Sequence, residues 1–208
     1  ESELPYSIGQ LVPYETETQY DNGDYVAGFE RCLAEFGYEE KKVLAGKRVK
    51  GRYHGIAVVP FVESGGAGPR ENARMNLTGD GVVTIGMGSS ALGQGLETVF
   101  AQIAGDALSL PFDRFRILHG STTLVEEGFG TYHSRAVVMG GSAILLAAKK
   151  LQLAIREAAG IEFGCDADAV SLVDGLALTP NRPSLSFGEI ATKAGGTIVV
   201  EATFSNTK

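Results

Sequence analysis

The sequence predicts an α+β domain in which mixed and antiparallel sheet hairpins pack against helices. Three observations carry this. "ENARMNLTGDGVVTIGMG" alternates apolar and polar residues on both sides of Gly79-Asp80-Gly81, the signature of a hairpin. Leu96, Val99, Phe100, Ile103 and Ala107 form an apolar stripe at helical spacing. Hairpin and helix signals interleave along the chain, with no internal repeat and no low-complexity segment.

Taken in order, "NGDYVAGFERCLAEFG" reads as a helix capped by Asn22 or Asp24. Val26, Phe29, Leu33 and Phe36 lie on one face, and Gly37 stops it. "GRYHGIAVVPFVESGG" is rich in β-branched residues and reads as a strand, with Pro60 marking an edge or bulge. The Gly79-Asp80-Gly81 hairpin follows, then the helix "LETVFAQIAGDALSL", ended by Pro111. "DRFRILHG" is a short strand, and "SRAVVMGGSAILLAAKKLQLAIREAAG" is a long, largely apolar helix capped by Ser134. Its Gly140-Gly141 pair should admit another backbone. A hairpin around Asp174-Gly175, a short capped helix in "SLSFGEIATKAGG" and a final alternating strand complete the chain.

Composition narrows the function. Apolar residues make up 44% and charged residues 21% of the 208, an ordinary globular balance. The net charge is −7 without a dense basic run, which argues against nucleic acid and anionic membrane surfaces as partners. No uninterrupted apolar run reaches the roughly 20 residues that span a bilayer, so no membrane span is expected. Cys32 and Cys165 stand alone, and His54, His119 and His133 show no ligand spacing, so a metal site built by the protein is not expected. Isolated cysteines suit a reducing compartment, and we expect a cytoplasmic protein. Glycine is 28 of 208, about twice the usual share of roughly 7%, and most of the excess lies between Gly65 and Gly141.

Three glycine loops sit in that region. The first, "GMGSSALGQGLET", joins a strand to a helix. Gly86, Gly88 and Ala91 fit a G-x-G-x-x-A dinucleotide fingerprint, which is the nicotinamide alternative. Gly93-Gln94-Gly95 would break the helix that fingerprint requires, and the next strand ends in His119-Gly120 rather than in an acid. As the lead-in to a helix, Gly93, Gln94 and Gly95 instead offer free N–H groups and a helix dipole to an anion, and an amide to a planar heterocycle. A plain turn in which glycine supplies φ > 0 accounts for the same residues. In the second loop, "EGFGTYHSR", Thr131 and Ser134 are capping candidates. Arg135 opposes the dipole of the helix it begins, which an anionic ligand would explain. The third, "ESGGAGPRENARM", allows a tight reversal beside a ligand or simply joins two strands.

Read in register, "GMGSSALGQGLETVFAQIAGDALSLP", "GFGTYHSRAVVMGGSA" and the upstream "LPYSIGQLVPYETETQYDNGDY" resemble the xanthine oxidase family of molybdenum hydroxylases. The loop wording is most similar to the large subunits of aerobic carbon monoxide dehydrogenases. The resemblance covers most of residues 4 to 159. It implies molybdenum held by the dithiolene of a pyranopterin, extended by cytosine dinucleotide, with no metal ligand from the protein. Cofactor contacts are implied for Gly93, Gln94, Gly95, Thr131, Tyr132, His133, Ser134 and Arg135, although His133 stands where a small residue is expected. The implied parent oxidises carbon monoxide, an aldehyde or an N-heterocycle with water. It passes electrons to FAD-binding and 2Fe-2S subunits, and it supplies its catalytic glutamate from outside these 208 residues. The chain opens at Glu1 and closes in a strand, so we expect a fragment with a linker and helix over 1–50 and a cofactor-binding subdomain over 51–208, truncated at both ends. Such a fragment would by itself be a non-catalytic cofactor-binding module and would self-associate through surface its parent covers.

Overall fold

The computed structural model describes residues 24–61 and 65–206. The chain divides into two compact units, Glu1–Val62 and Glu63–Lys208. The sequence puts this division at 50/51. Contacts put it later because the segment after residue 50 turns back on the first unit, where the Gly46 N–H bonds the His54 carbonyl and His54 N–H bonds that of Lys47.

In the first unit, α1 (Tyr25–Phe36) and α2 (Tyr38–Lys42) precede a small antiparallel pair, β1 (Arg48–Val49) and β2 (Arg52–Tyr53). Asp24 caps α1, accepting the Ala27 N–H at 2.9 Å, and Gly37 closes it at φ 69°. Asn22 and most of the upstream segment quoted above lie outside the described residues. The strand expected beyond Tyr53 does not form. Residues 55–61 pair with no strand among the described residues, and Val59 and Phe61 are exposed. β-branched composition reports fit to a pleated, half-buried surface, and without a neighbouring strand it has nothing to fit.

The second unit holds a four-stranded sheet in the order β5-β4-β3-β9, from β3 (Arg70–Thr78), β4 (Val83–Met87), β5 (Phe115–Leu118) and β9 (Thr197–Ser205). β3 is antiparallel to β4 and β9, whereas β5 runs parallel to β4. The β3–β4 turn is where the sequence puts it. Asp80 Oδ1 accepts from Val82 N–H at 3.1 Å and Gly81 takes φ 76°. The parallel step from β4 to β5 is made through α3 (Leu96–Leu108). A second sheet of β6 (Ser171–Val173), β7 (Leu176–Leu178) and β8 (Leu185–Ser186) leads into α5 (Phe187–Lys193). Its Asp174-Gly175 turn has both residues at positive φ, as a two-residue hairpin requires. Ser186 and Glu189 close a reciprocal capping box on α5.

One face of the main sheet is buried. Ala73, Met75 and Leu77 of β3, Val83, Ile85 and Met87 of β4, and Ile198 and Ala202 of β9 point to the core. α4 (Ser142–Phe163) crosses them with Ile144, Ala147, Leu151 and Ile155 fully buried. Together with its lead-in turn, Ala136–Phe163 is long and apolar enough to cross a membrane by length and composition. Half of its most apolar stretch is buried inside this unit, as a core helix should be.

Two expectations about this helix are corrected. Ser134 does not cap it. Arg135 holds the cap position, Ser134 takes left-handed backbone, and residues Ala136–Gly141 form a wider π turn before α4 begins. Gly140 does not admit a backbone either. It admits the Phe100 ring of α3, since a Cβ there would lie 2.7 Å from Cζ.

Candidate loop site at the end of the sheet

The three glycine loops meet at one end of the sheet. The segment 65–69 enters β3, Gly88–Gly95 leaves β4 for α3, and Gly128–Arg135 leads to α4. Their meeting point is a buried ion pair. Arg135 Nη1 lies 2.6 Å from Glu71 Oε2, and neither side chain is exposed. Three further donors of the guanidinium go to backbone carbonyls: Nε to Ala67 at 2.9 Å, Nη1 to Gly130 at 2.8 Å and Nη2 to Arg70 at 2.6 Å. Glu71 also accepts Ser89 Oγ at 2.8 Å and the Asn72 N–H at 3.0 Å. The rings of Phe129 and Tyr132 flank the cation at 5.5 and 5.6 Å.

The expectation that Arg135 turns its guanidinium to an external anion is therefore not met. Its anion is Glu71, which sequence reading passed over because β3 looks like an ordinary alternating strand. The available signal was an acid at an inward-facing position of that alternation.

The backbones of the first two loops cross closely. A Cβ on Gly88 would lie 2.4 Å from Glu71 Oε1 and 2.6 Å from Gly128 Cα. A Cβ on Gly86 would meet Leu124. The glycines that fit the dinucleotide fingerprint are thus packed against protein, which removes the nicotinamide reading. Thr131 fastens the same crossing rather than capping a turn. Its Oγ1 donates to the Ser90 carbonyl at 2.6 Å and accepts the Ser90 N–H at 3.1 Å.

The open part of the site lies beyond this crossing. Gly93 and Gly95 take φ 97° and 78°, and a Cβ on either would meet nothing within 4 Å. They are glycine for conformation, and the space outside them is free. Gly95 is the N-cap of α3 with no side-chain cap bond, so the first N–H groups of that helix lack a side-chain acceptor, and Gly93, Gly95, Glu97 and Thr98 are exposed. Gln94 is exposed. Its oxygen accepts the Leu92 N–H at 2.6 Å, which leaves the two amide N–H donors. In the same helical turn Glu97 meets His119 at 2.9 Å, and this hydrogen bond holds the Glu97 carboxyl below its ordinary range. On the second loop Tyr132, His133 and Ser134 are exposed, and His133 and Ser134 both take φ 49°. Two adjacent non-glycine residues in left-handed backbone are strained, and such strain concentrates at functional loops. It also explains why a small residue is expected at His133.

A cleft of ≈ 320 Å³ lies on the polar face of the sheet, lined by Arg70, Asn72, Arg74, Glu127 and Glu201. We do not assign the site there, because both of its arginines are paired with acids of the cleft, Arg70 with Glu127 and Arg74 with Glu201 at 3.4 Å, beside a further acid, Glu126. None of the expected cofactor contacts lines it.

The model of the molybdopterin cofactor-binding domain matches residues 31–208. Among curated relatives, the 6-hydroxypseudooxynicotine dehydrogenase complex subunit gamma of Paenarthrobacter nicotinovorans is 31% identical over 83% of the chain. The carbon monoxide dehydrogenase large chain of Afipia carboxidovorans is 33% identical over 64% of it. The chain spans only 22% and 19% of those proteins. Quinoline 2-oxidoreductase from Pseudomonas putida 86 superposes on 68% of the chain and 20% of its own, with TM-score 0.57 and 29% identity. A Cu,Mo-CO dehydrogenase superposes on 90% of the chain and 27% of its own with the same TM-score, at 21% identity, which speaks for the fold. By sequence and by fold, the chain belongs to the molybdopterin cofactor-binding domain family.

Proposed function

We propose that this chain is the part of a molybdenum hydroxylase that holds the molybdopterin cofactor in its cytosine dinucleotide form. The contacts are Gly93, Gln94, Gly95, Thr131, Tyr132, His133 and Ser134, with Arg135 contributing backbone only. The observation that carries this is the uncapped, exposed start of α3 at Gly93–Gly95, with a strained second loop tied to the same segment through Thr131 and Ser90. The residues fit such a group. Free helix N–H groups bind an anion such as a phosphate, the Gln94 amide addresses a flat heterocycle, and the missing Cβ atoms leave room for close approach. Among the described residues no cluster of His, Cys, Asp or Glu could hold a metal ion, so the ion would be held by the cofactor's own atoms.

When bound, the group supplies the metal at which a small substrate is oxidised with water as oxygen source. The chain's own work is to bind and orient that group. Carbon monoxide, an aldehyde or an N-heterocycle is the substrate class. FAD-binding and 2Fe-2S subunits are the electron-accepting partners, and the compartment is the cytoplasm. By itself the chain is a binding module. It self-associates through Val137, Val138, Leu145 and Leu146, which are exposed on the π turn and α4.

The test is Gln94→Ala in the parent enzyme. We expect molybdenum content and cytidine monophosphate released on hydrolysis to fall together, by about tenfold. Unchanged content of both would remove Gln94 from the site.

A further inference from the structure

We infer that Glu71 is a positioning residue for the cofactor loops, acting through Arg135 and Ser89. This rests on the reading of Gly93–Gly95 and Thr131–Ser134 as the cofactor-holding loops. Each partner of Glu71 belongs to a different segment. Ser89 lies four residues before Gly93, Arg135 follows Ser134 directly, and the Arg135 guanidinium carries the connection on to Ala67 and Gly130. One buried carboxylate therefore sets where both open loops leave the protein.

Stability alone does not account for such a group. A buried ion pair replaced by apolar side chains of similar volume is often as stable or more so, whereas its hydrogen bonds fix direction as apolar contacts do not. The local sequence is shaped around the carboxylate. Gly88 has no space for a Cβ because Glu71 Oε1 stands 2.4 Å from where it would be, and that same glycine lets Gly128 cross. The Thr131–Ser90 clip lies one step further out, between this network and the exposed loop residues.

The test separates loop order from global stability. In the 208-residue chain, amide hydrogen exchange is followed at Ser90 and Arg135, whose N–H groups bond within the loops, and at Leu77 and Ile85 in the core. Glu71→Gln is expected to speed exchange at Ser90 and Arg135 by about tenfold or more, but it also lowers global stability, so Leu77 and Ile85 serve as the reference only in a variant that keeps its stability. Because a single change leaves one buried charge unpaired and endangers folding, the double variant Glu71→Leu/Arg135→Met is the second arm. It should melt above Glu71→Gln, and show fast exchange at Ser90 with Leu77 and Ile85 nearly unchanged. In the parent enzyme the same double variant should retain about a tenth of the molybdopterin. Unchanged Ser90 and Arg135 exchange in either variant would overturn the inference. So would core and loop amides accelerating together in the double variant, since Glu71 would then serve stability alone. Absence of molybdopterin from the unaltered parent would instead sink the cofactor reading and leave the exchange comparison standing.

Discussion

Two arginine–glutamate pairs join the start of β3 to the loop that runs from Glu127 to Arg135, and they could hardly differ more. Arg70 pairs with Glu127 across an exposed surface, with side chains 46% and 42% exposed. Arg135 pairs with Glu71 in complete burial. Arg70 and Glu71 are sequence neighbours, and the period of two in a strand sends them to opposite faces of the sheet. The loop answers both, presenting Glu127 outside and Arg135 inside, so it grips the strand from two sides. All three guanidinium nitrogens of the inner pair bond to protein, whereas the outer pair is open to solvent. The same two residue types thus do different work according to the face they occupy.

The comparison is broken most severely at Arg135. Arg135→Gln leaves the Glu71 carboxylate buried without its cation and strips donors from three carbonyls. The expected loss is about 3–5 kcal/mol, or roughly 10 °C in melting temperature for a chain of this size. From its position opposing a helix dipole, sequence reasoning expects a neutral or slightly stabilising change. A thermal melt decides between the two. A shift of less than about 2 °C would mean the buried pair contributes little, and the grip would then lie with Thr131 and the glycine crossing.

That reversal shows what was legible in the sequence and what was not. The hairpins at Gly79–Gly81 and Asp174-Gly175, the capped start of α5 and both long helices were readable, because turn residues, caps and apolar periodicity act over a few positions. That Gly93-Gln94-Gly95 leads into a helix was readable for the same reason, and Gly95 is the N-cap of α3. The partner of Arg135 was not, because it lies 64 positions away and is chosen by sheet register. Nor could the sequence show that Gly86 and Gly88 are packed against Leu124, Glu71 and Gly128 rather than facing a ligand. A glycine needed for space and one needed for φ look alike until the neighbours are placed.

A milder test addresses the strained side of the loop. His133 takes φ 49° next to Ser134 at the same angle. A left-handed residue with a Cβ costs about 1–2 kcal/mol, part of which glycine returns through its larger unfolded-state entropy. His133→Gly is therefore expected to stabilise the chain by about 0.5–1 kcal/mol, read as a rise in melting temperature. A fall would show that contacts of the imidazole outweigh the backbone strain, and would make His133 a structural member of the loop.

The smallest effect belongs to the outer pair, and its interest lies in how it responds to salt and acid. The hydrogen bond from Arg70, followed by the charge attraction, holds the Glu127 carboxyl below its ordinary range and raises the Arg70 guanidinium above its own. A carboxyl depressed in the folded state contributes stability above its unfolded pKa of about 4.3, and that contribution is lost as pH falls through the lower, folded value. The raised guanidinium contributes below its unfolded value and would lose this only in strong alkali, so acid is the useful direction. Arg70→Gln should lower the melting temperature slightly at pH 7 and low salt. The difference from the unaltered chain should close in about 1 M salt, where screening acts over roughly 3 Å, and close again in acid below about pH 4. Arg135→Gln should show its full deficit at either salt concentration, because water and ions do not reach Glu71. An Arg70→Gln deficit that persisted in high salt would mean that the outer pair, too, is sealed from solvent, and the contrast between the two faces of β3 would be lost.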